Sequence, residues 1–598
     1  MDRPSSRGQR WFVHAAALVI VLYAALLRLD ALVGKYGALD HPAWARVATR
    51  QVAPLAAHLR PPGWQWDRVD RPYVGGDPIN YLTFARRMES FYQPHVREPV
   101  FLTLVRGALW LVDDQDVALS FASATGSVLL VVATFLLGAA LLSPAAGLLA
   151  SALMAVEMVA VGWAPGGWRD DLFAALTVLA AWALLRLSQH PTVVRALAAG
   201  ALCGLACLTR VTALAFVLPV LAWIVAAAPG AERRLRAWRV GLTLVTAAAL
   251  VAPYLISCAI ATGDPLYALN YHTIYYRAAE GQDVSRPVSA AAYIGSKLAS
   301  RPLATLDDGF IGLFVWPFAT KWTGWNPWLP AVGPAAEVAA LAGLGMLLSS
   351  SGGRLLLLLV GTSLLPYAFT WKLGGGGEWR FTLHAYAFYI VAAAFAMVTG
   401  ARALCHLRQR EAAASMASVA RAARRAAPVA ALAIAGVALY YWLPWPVVNE
   451  AIAAGESTSI EAGPRDRIFF REGWSDPHLE GITVRVSTGP WGVARIPLPA
   501  RRAYQMVVRL DPVAPEAHQR VRVLLNRQQI AQFPLAWNPD RVGAYSVTLP
   551  ADVVRAGSNE LVIIPEPTVA AGSTGPHLAW LDPRQRIGVR LWYLRIVS

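Results

Sequence analysis

Between Tyr73 and Arg106 the chain reads YVGGDPINYLTFARRMESFYQPHVREPVFLTLVR, placing an acid, several arginines and a glutamate beside apolar sequence. Asp77-Pro78 has the form of a helix start, with Asp as N-cap and Pro preset for the first helical position. Apolar residues follow at helical spacing (Ile79, Leu82, Ala85, Met88, Phe91), as in a short helix lying on a membrane surface. A carboxylate held there can serve as general base toward an acceptor hydroxyl or amine. Capping alone also accounts for the Asp-Pro pair. Arg97-Glu98-Pro99 opens a second helix. The Arg97 fork suits a phosphate oxygen, and Glu98 would orient it. The plainer alternative is a surface ion pair at a helix start.

Three other clusters carry charge next to apolar segments. Trp168-Arg169-Asp170-Asp171 precedes a long apolar run. Its adjacent carboxylates could hold a divalent cation or position an acceptor, or simply complement the helix dipole. Arg210 interrupts CLTRVTALAFVLP, where a charge is costly and marks a site by default; a phosphate ligand is the reading adopted. Lys372 to His384, KLGGGGEWRFTLH, combines four glycines with Glu378, Arg380 and His384. The glycines permit close backbone approach to a ligand, and Arg380 and His384 share a helix face if helical. The Tyr- and Asn-rich stretch Gly263 to Arg277 fits either a sugar site or an aromatic interface belt.

The elements that must position these residues are membrane spans. Of 598 residues, 56% are hydrophobic and 15% charged, and the mean hydropathy is +0.43. The net charge of +16 comes from arginines clustered between apolar segments, which is the membrane pattern rather than a nucleic-acid one. About eleven segments approach the ~20 residues that a helix needs to cross a bilayer, starting with an uncleaved one near 11–29. The others lie near 117–141, 145–163, 171–187, 196–209, 211–228, 238–261, 331–348, 354–371, 381–400 and 428–446. The arginine bias puts the N-terminus on the cytoplasmic side, leaving loops 30–98 and 262–326 and the C-terminal part outside. The four cysteines follow neither metal-site nor disulfide spacing and read as packing residues.

From residue 460 the texture changes to short alternating runs such as GITVRVST, YQMVVRL and NELVIIP, punctuated by Pro, Gly, Asn and Asp. That alternation predicts a β-sandwich at 460–598, beside a membrane domain at 1–446.

Gly-Gly-Asp77-Pro78, Arg97-Glu98-Pro99-Val100, the acidic pair Asp170-Asp171 and the break at Thr209-Arg210 together resemble the C-superfamily (GT-C) of membrane glycosyltransferases. The likeness is to the branch of protein mannosyltransferases and lipid A aminoarabinose transferases, and it covers roughly residues 10–400. That branch opens its loop helix with an Asp-Glu pair and follows it with a His-Pro-Pro-Leu-like run. Here Pro follows Asp77, and the His is replaced. The resemblance implies a polyprenyl-phosphate-linked sugar donor and inversion at the anomeric carbon, with an outer-loop Asp as base, here Asp77. Arg210 and Arg380 would face the lipid phosphate. It also likens the β region to jelly-roll, carbohydrate-binding modules, with Trp474, Trp491 and Trp537 either stacking on sugars or filling the core.

The expectation is therefore a multi-span α-helical membrane protein with an extracytoplasmic, jelly-roll-like β-sandwich. It would transfer sugar to a lipid, glycan or protein acceptor at the outer face of the cytoplasmic (inner) membrane. Asp77 is the expected base. Arg97, Arg210 and Arg380 are expected on the phosphate. Glu98, Arg169, Asp170, Asp171, Glu378 and His384 are further site candidates. A divalent metal at Asp170 and Asp171 is left open. The competing readings are a transporter or flippase, which would show repeated halves with broken helices near the midplane, and a non-catalytic glycan-binding membrane protein.

Overall fold

The structure is a computed structural model. It describes residues 7–66, 76–112, 115–279, 283–310, 333–368, 383–409, 431, 434–463, 465–480, 482–513, 518–536, 543–574, 578 and 580–597. Glu378, Arg380 and Trp537 lie outside the described residues. The chain forms two compact units, one of Met1–Ile294 with Asp308–Leu432, the other of Gly295–Asp307 with Ala433–Ser598.

The first unit is helical. In chain order its main helices are α1 (Arg7–Tyr36), α2 (Gly76–Arg87), α3 (Pro99–Leu111), α4 (Gln115–Leu141), α5 (Pro144–Ala155), α6 (Met158–Trp163), α7 (Asp170–Gln189), α8 (Val193–Cys207), α9 (Leu214–Ala226), α10 (Gly230–Thr262), α11 (Thr273–Ala279), α12 (Gly333–Leu347), α13 (Ser351–Ala368) and α14 (Leu383–Gln409). Among the described residues, five helices are long and apolar enough to cross a membrane, or seven if each of two bent pairs is one span. The sequence suggests about eleven segments; several of these are helices too short to cross alone, and some lie partly outside the described residues. The segments near 196–209 and 211–228 are short helices parted at Arg210, and α12 and α13 meet at a bend of 115°.

The breaks have local causes. At the end of α5, Glu157 takes the N-cap of α6 and accepts the backbone N–H of Ala160 at 2.7 Å. Arg28, only 1% exposed within α1, spans this junction. Its Nε donates to Ser127 Oγ of α4 at 3.0 Å, and one Nη to the Ala155 carbonyl at the end of α5 at 2.9 Å. The helix-end carbonyl and the buried guanidinium satisfy each other. Helices α4 and α7 then pack backbone to backbone. A Cβ added at Gly126 would lie 2.6 Å from Leu172 N.

The second unit is a sandwich of antiparallel sheets. One has the order β2 (His478–Glu480), β3 (Ile482–Val486), β12 (Val589–Val597), β5 (Tyr504–Pro512), β8 (Gly543–Leu549), with β1 (Thr458–Glu461) also on β12. The other runs β4 (Gly492–Leu498), β9 (Gly557–Glu566), β6 (Arg520–Leu525), β7 (Gln528–Pro534), and β10 (Val569–Ala570) pairs with β11 (Arg586–Ile587). Alternate residues of both sheets, among them Ile496, Val523 and Ile563 from one and Met506, Val508 and Leu591 from the other, share one core. Residues 295–307 belong to this unit. Glu450 accepts the N–H groups of Leu303 and Ala304 at 3.2 and 2.9 Å, and Asp307 pairs with Arg465. Trp474 packs with Phe470 and donates its indole N–H to the Val493 carbonyl at 3.1 Å, whereas Trp491 is 47% exposed.

Candidate active site

Four helix starts converge in the first unit: α2 with Asp77, α3 after Glu98, α7 with Asp170 and Asp171, and the 3-10 turn Val211–Ala213 that leads into α9. Each start leaves backbone N–H groups without intrahelical partners and a partial positive charge. Acids gather there, and arginines from neighbouring segments balance them.

Asp77 Oδ1 takes a hydrogen bond from Arg97 Nη2 at 2.5 Å. The Asp77 side chain is 23% exposed and that of Arg97 8%, so the pair lies at the edge of the packed interior. Tyr81, one helical turn beyond Asp77, is fully buried, and its hydroxyl lies 3.5 Å from Asp77 Oδ2. The Tyr81 ring has Arg97 at 5.5 Å and Arg169 at 5.9 Å from its centroid, and meets Phe101 edge-on at 5.3 Å. Burial comes first among the causes that raise the Tyr81 phenol above its ordinary value.

Glu98 pairs with Arg169 rather than orienting Arg97, and its Oε1 accepts the Val211 N–H at 2.8 Å. Arg169 also donates to the Thr209 carbonyl at 3.3 Å. Arg210 donates through Nη2 to Asp170 Oδ1 at 2.6 Å and through Nη1 to the Tyr367 hydroxyl at 3.2 Å. Asp170 and Arg210 are 1% and 4% exposed at their side chains. Asp171 Oδ2 accepts from Ser123 at 3.1 Å. Buried pairs of this kind are net stabilising only when both partners are present; loss of one leaves an uncompensated charge.

His272 completes the group. Its Nε2 lies 2.6 Å from Arg97 Nη1, and burial, followed by the nearby Arg97, holds the imidazole well below its ordinary value. His384 lies deeper. Its Nε2 is 3.0 Å from Ser363 Oγ, and its ring packs edge-on against Phe173, whose face carries Arg210.

The structure thus gathers Asp77, Arg97, Glu98, Arg169, Asp170, Asp171 and Arg210 in one cluster, with His384 adjoining it through Phe173. Tyr81, His272 and Tyr367 join them without having been singled out. The i, i+4 spacing from Asp77 was the available signal for Tyr81, and the aromatic stretch Gly263 to Arg277 the signal for His272. Among the described residues no group of three or more His, Cys, Asp or Glu is placed to hold a metal ion. Asp170 is engaged by Arg210 and Asp171 by Ser123, each through one carboxylate oxygen. Cys203, Cys207 and Cys258 are buried free thiols, as expected of packing residues.

Residues 94–256 match the family model for dolichyl-phosphate-mannose-protein mannosyltransferases. This span runs from the Arg97-Glu98 helix start through Asp170 and Arg210. That stretch of the membrane unit is similar to the protein-mannosyltransferase family model. Among solved structures, the chain is similar to the oligosaccharyltransferase AglB of Archaeoglobus fulgidus, in complex with an inhibitory peptide and a dolichol-phosphate. That alignment has 17% identity and a TM-score of 0.37, over 70% of this chain and 56% of that one. The chain therefore spans about half the length of the archaeal enzyme. ArnT from Cupriavidus metallidurans, bound to undecaprenyl phosphate, aligns at 14% identity and a TM-score of 0.39, over 75% of this chain and 74% of that one. The CBM36-1 domain of a xylanase from the hindgut metagenome of Trinervitermes trinervoides aligns at 8% identity and a TM-score of 0.17, over 24% of this chain and 98% of that domain. No curated protein sequence matches the chain.

Proposed function

We propose that the protein is an integral membrane glycosyltransferase that moves a sugar from a polyprenyl-phosphate carrier to a lipid, glycan or protein acceptor. The observation that carries this reading is the Asp77–Arg97 pair at an exposed edge of a buried cluster of acids and arginines, in a chain whose residues 94–256 match the protein mannosyltransferases. AglB and ArnT, each with a polyprenyl phosphate in its structure, support the donor class by analogy.

Asp77 is the general base. Arg97 and Tyr81 fix its carboxylate, which takes the proton of the acceptor hydroxyl as that oxygen bonds to the anomeric carbon. The bond from that carbon to the phosphate oxygen breaks on the opposite side, inverting the centre and releasing the polyprenyl phosphate. Arg210 and Arg380 neutralise charge on the leaving phosphate, where stabilisation most lowers the barrier. Asp170 and Asp171 hold Arg210 and the start of α7 in place. The reaction face is the outer side of the cytoplasmic membrane, with the N-terminus cytoplasmic and the jelly-roll-like β unit extracytoplasmic. The β unit presents Trp491 to glycan.

The test is the lipid-linked sugar pool of cells lacking the protein, read by mass spectrometry. Accumulation of one polyprenyl-phosphate sugar, with loss of one glycan feature, is the expected result. An unchanged pool together with unchanged glycans overturns the reading.

A further inference from the structure

The arginine side chain has only N–H donors at its head, so in the contact between Arg97 Nη1 and His272 Nε2 the imidazole must be the acceptor. A neutral imidazole with an acceptor at Nε2 carries its proton on Nδ1. His272 Nδ1 is buried and has no hydrogen-bond partner among the described residues. A buried donor without an acceptor is rare in a folded protein, because it loses water and gains nothing. The ring cannot escape by turning over, since Nε2 would then lose Arg97. Around it stand Tyr271 and Tyr275, at ring-centroid distances of 6.1 and 6.4 Å, and Tyr275 is 59% exposed. The imidazole therefore sits beside an exposed tyrosine ring, on the guanidinium nitrogen of Arg97 that does not hold Asp77.

We infer that His272 is a substrate-reading residue, whose Nδ1–H donates to a phosphoryl oxygen of the bound polyprenyl phosphate while Nε2 locks the Arg97–Asp77 pair. This rests on the glycosyltransferase reading above and adds to it a discriminator between a phosphorylated lipid and its alcohol. Arg97 is thereby a positioning residue, with one Nη on the proposed base and the other on the imidazole.

Two substitutions separate the two ends of the ring. His272→Gln keeps an acceptor near the Nε2 position and removes the Nδ1 donor. His272→Asn keeps a donor near the Nδ1 position and removes the acceptor for Arg97. Binding is measured on the full chain in nanodiscs with undecaprenyl phosphate, with undecaprenol and with inorganic phosphate. The expected result is that His272→Gln weakens undecaprenyl phosphate about tenfold, as for one lost hydrogen bond to a charged group, and leaves undecaprenol unchanged. His272→Asn retains most of the preference for the phosphate while turnover falls. If His272→Gln binds the phosphate as the wild type does, the inference is overturned and the glycosyltransferase reading stands. Inorganic phosphate binding as tightly as the lipid phosphate overturns the lipid assignment. If the wild type has no preference for undecaprenyl phosphate over undecaprenol, both readings fall.

Discussion

Glu98 Oε1 accepts the backbone N–H of Val211 at 2.8 Å while the same carboxylate pairs with Arg169. One acid at the start of α3 thus neutralises the guanidinium before α7 and caps the turn that leads into α9. Three segments far apart in sequence are fixed to each other by a single side chain.

Glu98→Gln should separate these two roles. The amide oxygen still caps Val211, but Arg169 becomes a buried charge without its counterion. A loss of about 3–5 kcal/mol is expected, read as a lower unfolding temperature in detergent. The double variant Glu98→Gln/Arg169→Leu should recover part of it. An unfolding temperature unchanged in Glu98→Gln would mean that the pair is solvated.

Asp77→Asn should lower turnover by a factor on the order of 10²–10⁴, the usual contribution of a positioned base. Binding of polyprenyl phosphate should be retained. Transfer of labelled sugar from a lipid-linked donor measures the first and equilibrium binding the second. Transfer at the wild-type rate would remove Asp77 from the chemistry.

Acid should weaken the fold through His272. Burial, and then Arg97 and Arg169, hold its imidazole well below the ordinary value. In the unfolded chain it takes up a proton near pH ~6.5, so below that point the unfolded state binds more protons. The stabilisation is complete above the unfolded value and is lost as pH falls through it. Unfolding temperatures taken between about pH 7.5 and about pH 5 should drop more steeply for the wild type than for His272→Gln. Parallel curves would show that the ring is not held neutral.

The β-sandwich offers an independent check. Gly473 has a φ of +77°, and a Cβ there would lie 1.9 Å from the Trp491 carbonyl oxygen. Gly473→Ala should therefore cost more than the ~1–2 kcal/mol of left-handed strain alone, lowering the unfolding temperature of the full chain. No change in unfolding would show that this turn relaxes freely.

The helix start at Pro99, the interruption at Arg210 and the strand-rich C-terminal part are all legible in the sequence, because each is set by neighbouring residues; the helix expected from Pro78 already includes Gly76 and Asp77. Proline, an acid and a run of apolar residues at period 3.6 suffice to specify a helix start. The ion-pair partners are not legible. Asp77 meets Arg97 across 20 residues, Arg210 meets Asp170 across 40 and Arg169 meets Glu98 across 71. Local pattern carries no information on such pairings, so Glu98 reads as the partner of its neighbour Arg97 when it serves Arg169. His272 was hidden for a related reason. An aromatic stretch looks alike whether it lines a site or a membrane interface, and the contact of His272 with Arg97 spans 175 residues. The span count differs because apolar helices such as Val193–Cys207 and Val211–Ala226 are too short to cross alone, and part of 428–446 lies outside the described residues.

Gly126 carries no functional group, yet the placement of Asp170 and Asp171 depends on it. Its hydrogen sits where the backbone of Leu172 passes, so even a methyl group would wedge the two helices apart. The aspartates would be carried away from Arg210 and Ser123 by a residue with no side chain. Tolerance to substitution in this cluster of acids and arginines is thus decided partly by the room between two backbones, and a search for sensitive positions confined to polar side chains would pass over it.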